Sequence, residues 1–282
     1  MEANAVVFAY HDVGVRCLRV LLEAGVRVPL VITHRNDPAE RVFFGSVAEL
    51  ARSKGIETVF SEELKTAELE ARLATLSPDF IFSFYYRRML PPGLLATARR
   101  GAFNLHGSLL PKYRGRAPVN WAVLKGETET GATLHEMVAK PDAGRIVDQE
   151  PVPIGPDETA GEVMAKVAAA AERVLKRSIG KLVAGTAQLK PQDLTRGSYF
   201  GGRRPEDGRI DWSRSALEIH NLVRAVAPPY PGAFSEGMKI FRTRLEPARK
   251  ALRSGPYQEN GEWFAGCGDG KVLRLLEVEP IP

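Results

Sequence analysis

The 282-residue sequence predicts a Rossmann-like α/β fold, a mostly parallel sheet with helices on both faces, followed by a small β-barrel-like (OB-like) domain. Three observations carry that expectation. Through the first half, continuous apolar strands alternate with helical patterns, as strands buried on both faces of a parallel sheet do. From Ser198 onward the pattern changes to one helix and then short strands with turn signals. Between the two regimes, Ala184 to Pro191 reads as a linker. The expected division is therefore a catalytic domain over 1–190 and a β domain over 198–282.

The elements follow in order. Ala5 to Tyr10 reads as a buried strand, and Cys17, Leu18, Val20, Leu21 and Leu22 lie on a helix ending at Gly25. Val28 to Thr33 is a second strand, and Val47 to Arg52 opens another helical turn. Thr58 to Phe60 is a short strand, Leu64 to Leu76 a helix, and Asp79 to Phe84 a strong strand. A long helix runs from Ala160 to Leu182. Its start is marked by a Thr159/Glu162 capping box, and its apolar stripe is Val163, Val167, Ala170, Val174 and Leu182. Ser215 to Val226 is helical, and Lys239 to Leu245, Glu262 to Ala265 and Val272 to Val278 read as strands. No repeat or low-complexity segment interrupts the chain.

Composition narrows the function classes. Hydrophobic residues at 44% and charged residues at 26% are ordinary for a soluble globular protein. A balance of 39 basic against 34 acidic residues suits an anionic ligand, but the excess is too mild and dispersed to argue for nucleic acid. Two cysteines, Cys17 and Cys267, make neither a disulfide framework nor a metal site, and both are expected to be reduced and buried. No apolar run reaches the length of a membrane span, and the N-terminus lacks a secretory signal, so the expectation is cytoplasmic with no membrane insertion. Tyr10-His11-Asp12-Val13-Gly14 stands where a dinucleotide-binding glycine motif would follow the first strand, which argues against such a cofactor.

Open α/β sheets bind ligands beyond the carboxyl ends of their strands. Tyr10, His11, Phe84, Tyr85, Asn104 and His106 all fall at predicted strand ends, where one crevice could hold them. Asn104 and His106 are two apart in an extended segment, so their side chains point to the same side. A carboxamide can donate to the oxyanion formed when an amine attacks an acyl carbon, and an imidazole can move the accompanying proton. Asp142, if it reaches the ring, would fix it and stabilise its protonated form. Spacing alone leaves structural roles open, because His and Asn near strand ends are commonly hydrogen-bonded scaffolding. Pro141-Asp142-Ala143-Gly144 is also ordinary turn chemistry.

Asn104-Leu105-His106-Gly107-Ser108-Leu109-Leu110-Pro111, Tyr113-Arg114-Gly115-Arg116-Ala117-Pro118, Thr130-Gly131 and Asp142-Ala143-Gly144 together resemble the formyltransferases that use 10-formyltetrahydrofolate. The resemblance extends over nearly the whole chain. It implies a catalytic trio of Asn104, His106 and Asp142, with 10-formyltetrahydrofolate as co-substrate and no metal. It further implies folate contacts at Arg88, Met89, Leu90, Arg116, Val138, Ala139, Lys140 and Pro141.

Two acceptor classes stay open within that resemblance, initiator methionyl-tRNA and nucleotide-linked amino sugars, UDP- or dTDP-linked. Residues 201–282 hold 13 Lys/Arg against 11 Asp/Glu, a weak basis for gripping many phosphates. The 34–46 stretch is short and mixed in charge where the tRNA enzymes carry a basic insertion. Phe8-Ala9-Tyr10-His11-Asp12, Ser83-Phe84-Tyr85-Tyr86-Arg87 and Phe200-Gly201-Gly202-Arg203-Arg204-Pro205-Glu206-Asp207 are similar to the formyltransferase domain acting on UDP-4-amino-4-deoxy-L-arabinose, an enzyme of lipid A modification. That favours a small-molecule nucleotide sugar, with any UDP-glucuronate decarboxylase as a separate partner. Tyr10 and Tyr85 are then candidates to stack on base or sugar. Arg203 and Arg204 are candidates for the diphosphate, or else partners of neighbouring acids. Oligomeric state is left open.

Overall fold

The computed structural model describes residues 3–36, 42, 44–63, 65–235, 237–247 and 249–281. Leu64, at the expected start of one helix, and residues 37–41 and 43 of the 34–46 stretch lie outside them. The first half runs β1(Asn4–Ala9), α1(His11–Glu23), β2(Arg27–Thr33), α2(Val47–Ser53), β3(Glu57–Phe60), α3(Thr66–Leu76), β4(Phe80–Phe84), α4(Pro92–Leu95) and β5(Gly101–His106). Next come β6(Arg114–Gly115), α5(Pro118–Leu124), β7(Glu129–Glu136), β8(Ile146–Pro153), α6(Ala160–Ala184) and β9(Tyr199–Phe200). The remainder is α7(Ala216–Val226), β10(Ala233–Ser235), β11(Met238–Glu246), β12(Gly255–Glu259), β13(Glu262–Gly266) and β14(Val272–Pro280).

Seven strands form the main sheet in the order β3-β2-β1-β4-β5-β7-β8. The pairings from β3 through β5 are parallel, and β7 joins β5 antiparallel. The chain winds outward from β1 to β3, then returns to lay β4 on the other side of β1. That reversal opens a crevice beyond the carboxyl ends of β1 and β4, because the connections leave those ends in opposite directions. The strand alternation sorts the core. Val6, Phe8, Leu30, Ile32 and Ile81 face Leu69, Leu73 and Leu94 of α3 and α4. On the opposite face, a Cβ at Gly14 of α1 would lie 3.1 Å from that of Ala9 and 2.9 Å from Val47. Helices therefore cover both faces, as the apolar continuity of the strands requires.

By contact the chain divides into two units, the first made of residues 1–115, 131–152 and 166–199, the second of 116–130, 153–165 and 200–282. This differs from a single boundary between 190 and 198. The second unit reaches back because its helix α7 needs partners from earlier in the chain. Asn120 of α5 donates to the Ala225 carbonyl at 2.9 Å, and buried Arg224 donates to the carbonyls of Gly155 and Glu158 at 3.2 Å. Burying a guanidinium is tolerable only when its donors are met. The unit's core packs Trp212, Ile219, Val223, Ile240, Leu273 and Leu275. Its sheet is antiparallel, ordered β10-β11-β14-β13-β12. Strand β12 escaped the sequence reading because Gly255, Pro256 and the polar Gln258 and Glu259 dilute its apolar signal.

The capping box at α6 is formed as the sequence implied. The Thr159 amide donates to Glu162 Oε2 at 2.7 Å and the Glu162 amide donates to Thr159 Oγ1 at 3.3 Å. All five stripe residues are buried. Replacing Thr159 by Ala should cost about 1 kcal/mol, seen as an earlier urea midpoint with an unchanged slope.

Candidate active site

The site grows from the β5–β7 pairing. Residues directly opposite in an antiparallel ladder project to the same face, and here Asn104 opposes His135 while His106 opposes Thr133. Asn104 Nδ2 meets His135 Nε2 at 3.1 Å, and the other ring nitrogen, Nδ1, donates to the Glu136 carbonyl at 2.7 Å. Asp142 arrives from the turn after β7 with its backbone in the left-handed region, φ 50°. Two devices hold the turn there. Gln192 Nε2 donates to the carbonyls of Asp142 (3.0 Å) and Gly144 (2.6 Å). Gly144 packs so close to β7 that a Cβ would sit 2.1 Å from the Glu136 oxygen.

The carboxylate of Asp142 then faces one backbone donor and two imidazole rings. The Gly115 amide donates to Oδ2 at 2.8 Å, and Oδ1 lies 3.5 Å from His135 Nε2 and 3.7 Å from His106 Nδ1. Burial alone would raise its proton affinity. The electrostatic pull of the neighbouring His106 and His135 rings and the Gly115 amide outweigh that and hold the carboxyl well below the usual range. His106 is 6% exposed. Its Nε2 donates to the Tyr113 carbonyl at 2.8 Å, so the ring is oriented from that side. At 3.7 Å from the carboxylate, Nδ1 is beyond direct hydrogen bonding and keeps the capacity to take or give a proton.

The Gly-Ser-Leu-Leu-Pro loop is the other wall of the site. Ser108 Oγ donates to the Lys112 carbonyl at 2.7 Å, Thr133 Oγ1 donates to the Ser108 carbonyl at 2.6 Å, and Gln149 Nε2 donates to that of Leu110 at 2.9 Å. The Tyr113 amide donates to Ser198 Oγ at 2.8 Å, which fixes the carbonyl that His106 uses. Asn104, His106 and Asp142 are thus brought together as the sequence anticipated.

Sequence reasoning missed His135. Its only signal is its phase: it follows the buried Leu134 in an extended segment, so it projects to the face opposite Leu134. Seeing its role required the β5–β7 register.

The other expected residues fall into three places. Tyr10 and Tyr85 lie at the β1 and β4 ends, where the Tyr10 amide donates to the Phe84 carbonyl at 3.0 Å. Tyr10 is only 5% exposed and packs edge-on to His34 and Phe44, with Arg87 over its ring. Tyr85 has φ 55° and stacks on His11 at 6.0 Å. Arg88, Met89 and Leu90 follow in the same loop. Arg88 Nη1 donates to the Ser61 carbonyl at 3.0 Å, Leu90 is buried, and Met89 is 63% exposed, an apolar side chain presented to solvent. Val138, exposed, and Ala139, Lys140 and Pro141 lead from β7 into the Asp142 turn.

Arg116, Arg203 and Arg204 belong to the second unit, where the side chain of Arg116 runs within 3.6 Å of a Cβ placed on Gly202. Arg203 stacks over Trp121 at 4.9 Å and donates to the Asp207 carbonyl at 3.1 Å; the Arg204 amide donates to the Asp207 carboxylate at 2.8 Å. Asp207, a neighbouring acid, thus engages this pair. Among the described residues no group of three or more His, Cys, Asp or Glu could hold a metal ion. Among the same residues no helix is long and apolar enough to cross a membrane.

Comparison with known proteins places this geometry. A family model described as formyl transferase matches residues 16–179, and one for the formyl transferase C-terminal domain matches 203–281. Among solved structures, the chain is similar to an N-formyltransferase from Helicobacter canadensis in complex with folinic acid and dTDP-3-aminofucose. That match has TM-score 0.76 and 23% identity, covering 98% of this chain and 99% of the other. It is also similar to WlaRD, a sugar 3N-formyl transferase solved with dTDP and 5-N-formyl-THF, with TM-score 0.77, 21% identity and 98% of each chain covered. HypX from Aquifex aeolicus in complex with tetrahydrofolic acid matches at TM-score 0.65 and 18% identity, covering 97% of this chain and 43% of that one.

The Asp142 carboxylate sets a pH signature. Its folded proton affinity lies below the ordinary value of 3.8, so its contribution to stability is complete well above that pH and lost as pH falls below it. Asp142→Asn should therefore be less stable than the parent at pH 7. The gap should close by about 1.4 kcal/mol per pH unit below 3.8, measured by denaturant unfolding at several pH values.

Proposed function

Because this chain belongs to the formyl transferase family, we propose that it carries a formyl group from 10-formyltetrahydrofolate to the amine of a nucleotide-linked amino sugar, with UDP-4-amino-4-deoxy-L-arabinose the preferred acceptor. The observation that carries the reading is the assembly of Asn104, His106 and Asp142, with His135 between Asn104 and the carboxylate. The neutral sugar amine attacks the formyl carbon, a C–N bond forms, and the carbonyl electrons move to oxygen. Asn104 Nδ2 has a second hydrogen to give that oxyanion. His106 Nδ1 takes the proton the amine must lose and returns it to N10 of the folate as the C–N10 bond breaks. Asp142, ionised throughout, stabilises the imidazolium without accepting the proton. Since the attacking amine must be unprotonated, activity should fall on the acid side.

Three observations support the co-substrate and acceptor. The exposed Met89 and Val138 flank the loops that the family resemblance assigns to folate, and an apolar pair suits a flat ring system. Both full-length structural neighbours named above were solved with a formyl-folate analogue, together with a dTDP-sugar or dTDP. The UDP-arabinose assignment rests on the Phe8–Asp12, Ser83–Arg87 and Phe200–Pro205 segments of the sequence.

The test is formyl transfer with UDP-4-amino-4-deoxy-L-arabinose, a dTDP-amino sugar and methionyl initiator tRNA offered in parallel. Turnover confined to the UDP-sugar is expected. Preference for another acceptor keeps the chemistry and overturns the acceptor. Asn104→Ala should lower kcat by roughly 10²–10³ with the protein still folded, and a variant with normal turnover would sink the oxyanion role.

A further inference from the structure

The loop that follows β4 carries Arg88, Met89 and Leu90, and it is tied down by a histidine that the chemistry above does not use. His34 stands just past the end of β2 and is 7% exposed. Its Nε2 accepts the backbone N–H of Arg87 at 3.0 Å. A ring nitrogen can accept only when it bears no proton, so in this neutral imidazole the proton sits on Nδ1. Nδ1 lies 2.8 Å from Ser61 Oγ and 3.3 Å from Glu62 Oε1, and Ser61 Oγ donates in turn to Glu62 Oε1 at 2.8 Å. The chain of donors runs in one direction, from the Arg87 amide through His34 and Ser61 to the Glu62 carboxylate. Arg88 closes it from the other side, donating to the Ser61 carbonyl with its Nη2 3.8 Å from Glu62. The His34 ring also stacks on Tyr86 at 4.3 Å and meets Tyr10 edge-on at 5.5 Å.

We propose that His34 is a positioning residue for the folate. Its unprotonated Nε2 fixes the Arg87 amide and thereby the loop presenting Arg88, Met89 and Leu90, and protonating the ring releases that loop. The inference rests on the folate reading of the 88–90 segment and deepens it.

The charged surroundings set the sign of the effect. Burial lowers the proton affinity of His34 below its ordinary value; Glu62 opposes this, and Arg87 and Arg88 add to it. The remaining groups facing the ring, Tyr86, Tyr10 and Ser61, are neutral, and the neighbouring Arg35 pairs with Glu63. Glu62 itself stays ionised, held down to about 2 although burial pushes the other way; its hydrogen bond from Ser61 is the largest opposing cause. The acceptor is therefore intact at neutral pH and lost as pH falls below the ordinary histidine value of 6.5.

The experiment is calorimetric binding of 5-formyltetrahydrofolate to the full chain and to two variants, between pH 8 and pH 5. His34→Gln can place a carbonyl oxygen near the Nε2 position and cannot titrate; His34→Phe keeps a ring and removes the acceptor. At pH 8 the parent and His34→Gln should bind alike, while His34→Phe binds about tenfold more weakly, the cost of one part-buried amide left unpaired and its loop released. On acidification the parent should lose about tenfold relative to His34→Gln. In transfer assays the losses should fall on KM for the folate and leave kcat within about twofold.

Parent-like binding by His34→Phe, or an identical pH profile for the parent and His34→Gln, overturns the proposal; the second comparison survives even if His34→Phe fails to fold. Absence of folate binding by the parent overturns the folate reading instead. Long-range ¹⁵N spectra of His34 then judge the positioning on their own. A ring protonated on Nδ1 alone at pH 8 supports it, and one protonated on Nε2 overturns it.

Discussion

Asp142 is the group on which the rest of the site depends. A carboxylate at 15% side-chain exposure is costly to bury, and it stays charged only because the Gly115 amide and two imidazoles converge on it. Each of those groups is anchored elsewhere: Gly115 on the short β6–β9 ladder, His106 on the Tyr113 carbonyl, and His135 on the Glu136 carbonyl. The turn that delivers the carboxylate has a left-handed backbone and a glycine pressed against β7, both tolerable because Gln192 bridges its carbonyls. Rigid strands thus supply Asn104, His106 and His135, and a strained turn supplies the charge that organises them.

Much of the first unit was legible in the sequence because its code is local. The strands β1, β2 and β4 are buried on both faces and read as unbroken apolar runs, and α6 announces itself through Thr159 and Glu162 at one end and a clean stripe along its length. Asn104 and His106 could be placed on one face by counting two along a strand. What the sequence withheld is pairing. His135 becomes part of the site only because β7 runs antiparallel to β5 in a register that sets it opposite Asn104. His34 stands beyond a strand whose end is plain, yet its partners come from residues 61–62 and 86–88, brought near by the outward-then-back winding of the sheet.

The candidate ligand residues were harder to read, for a physical reason. Tyrosine and arginine satisfy themselves as readily with protein as with ligand. Tyr10 is nearly buried among His34, Phe44 and Arg87, and Arg203 lies flat on Trp121. Nothing in residue type separates those roles, and exposure does not either, since Leu252 and Leu217 are as open to solvent as Met89 and Val138.

The interleaving of the two units changes what a cut in the chain would do. Residues 200–281 look separable on paper, since they carry their own sheet and the helix α7. Yet the Arg224 guanidinium donates to carbonyls of Gly155 and Glu158, His220 engages the Pro156 carbonyl at 3.0 Å, and Asn120 holds the α7 terminus at Ala225. A peptide severed near residue 198 would keep its apolar core and strand these polar groups inside it. The C-terminal part is better regarded as a lodger whose rooms were built during synthesis of the first half, able to settle only after residues 116–130 and 153–165 are in place.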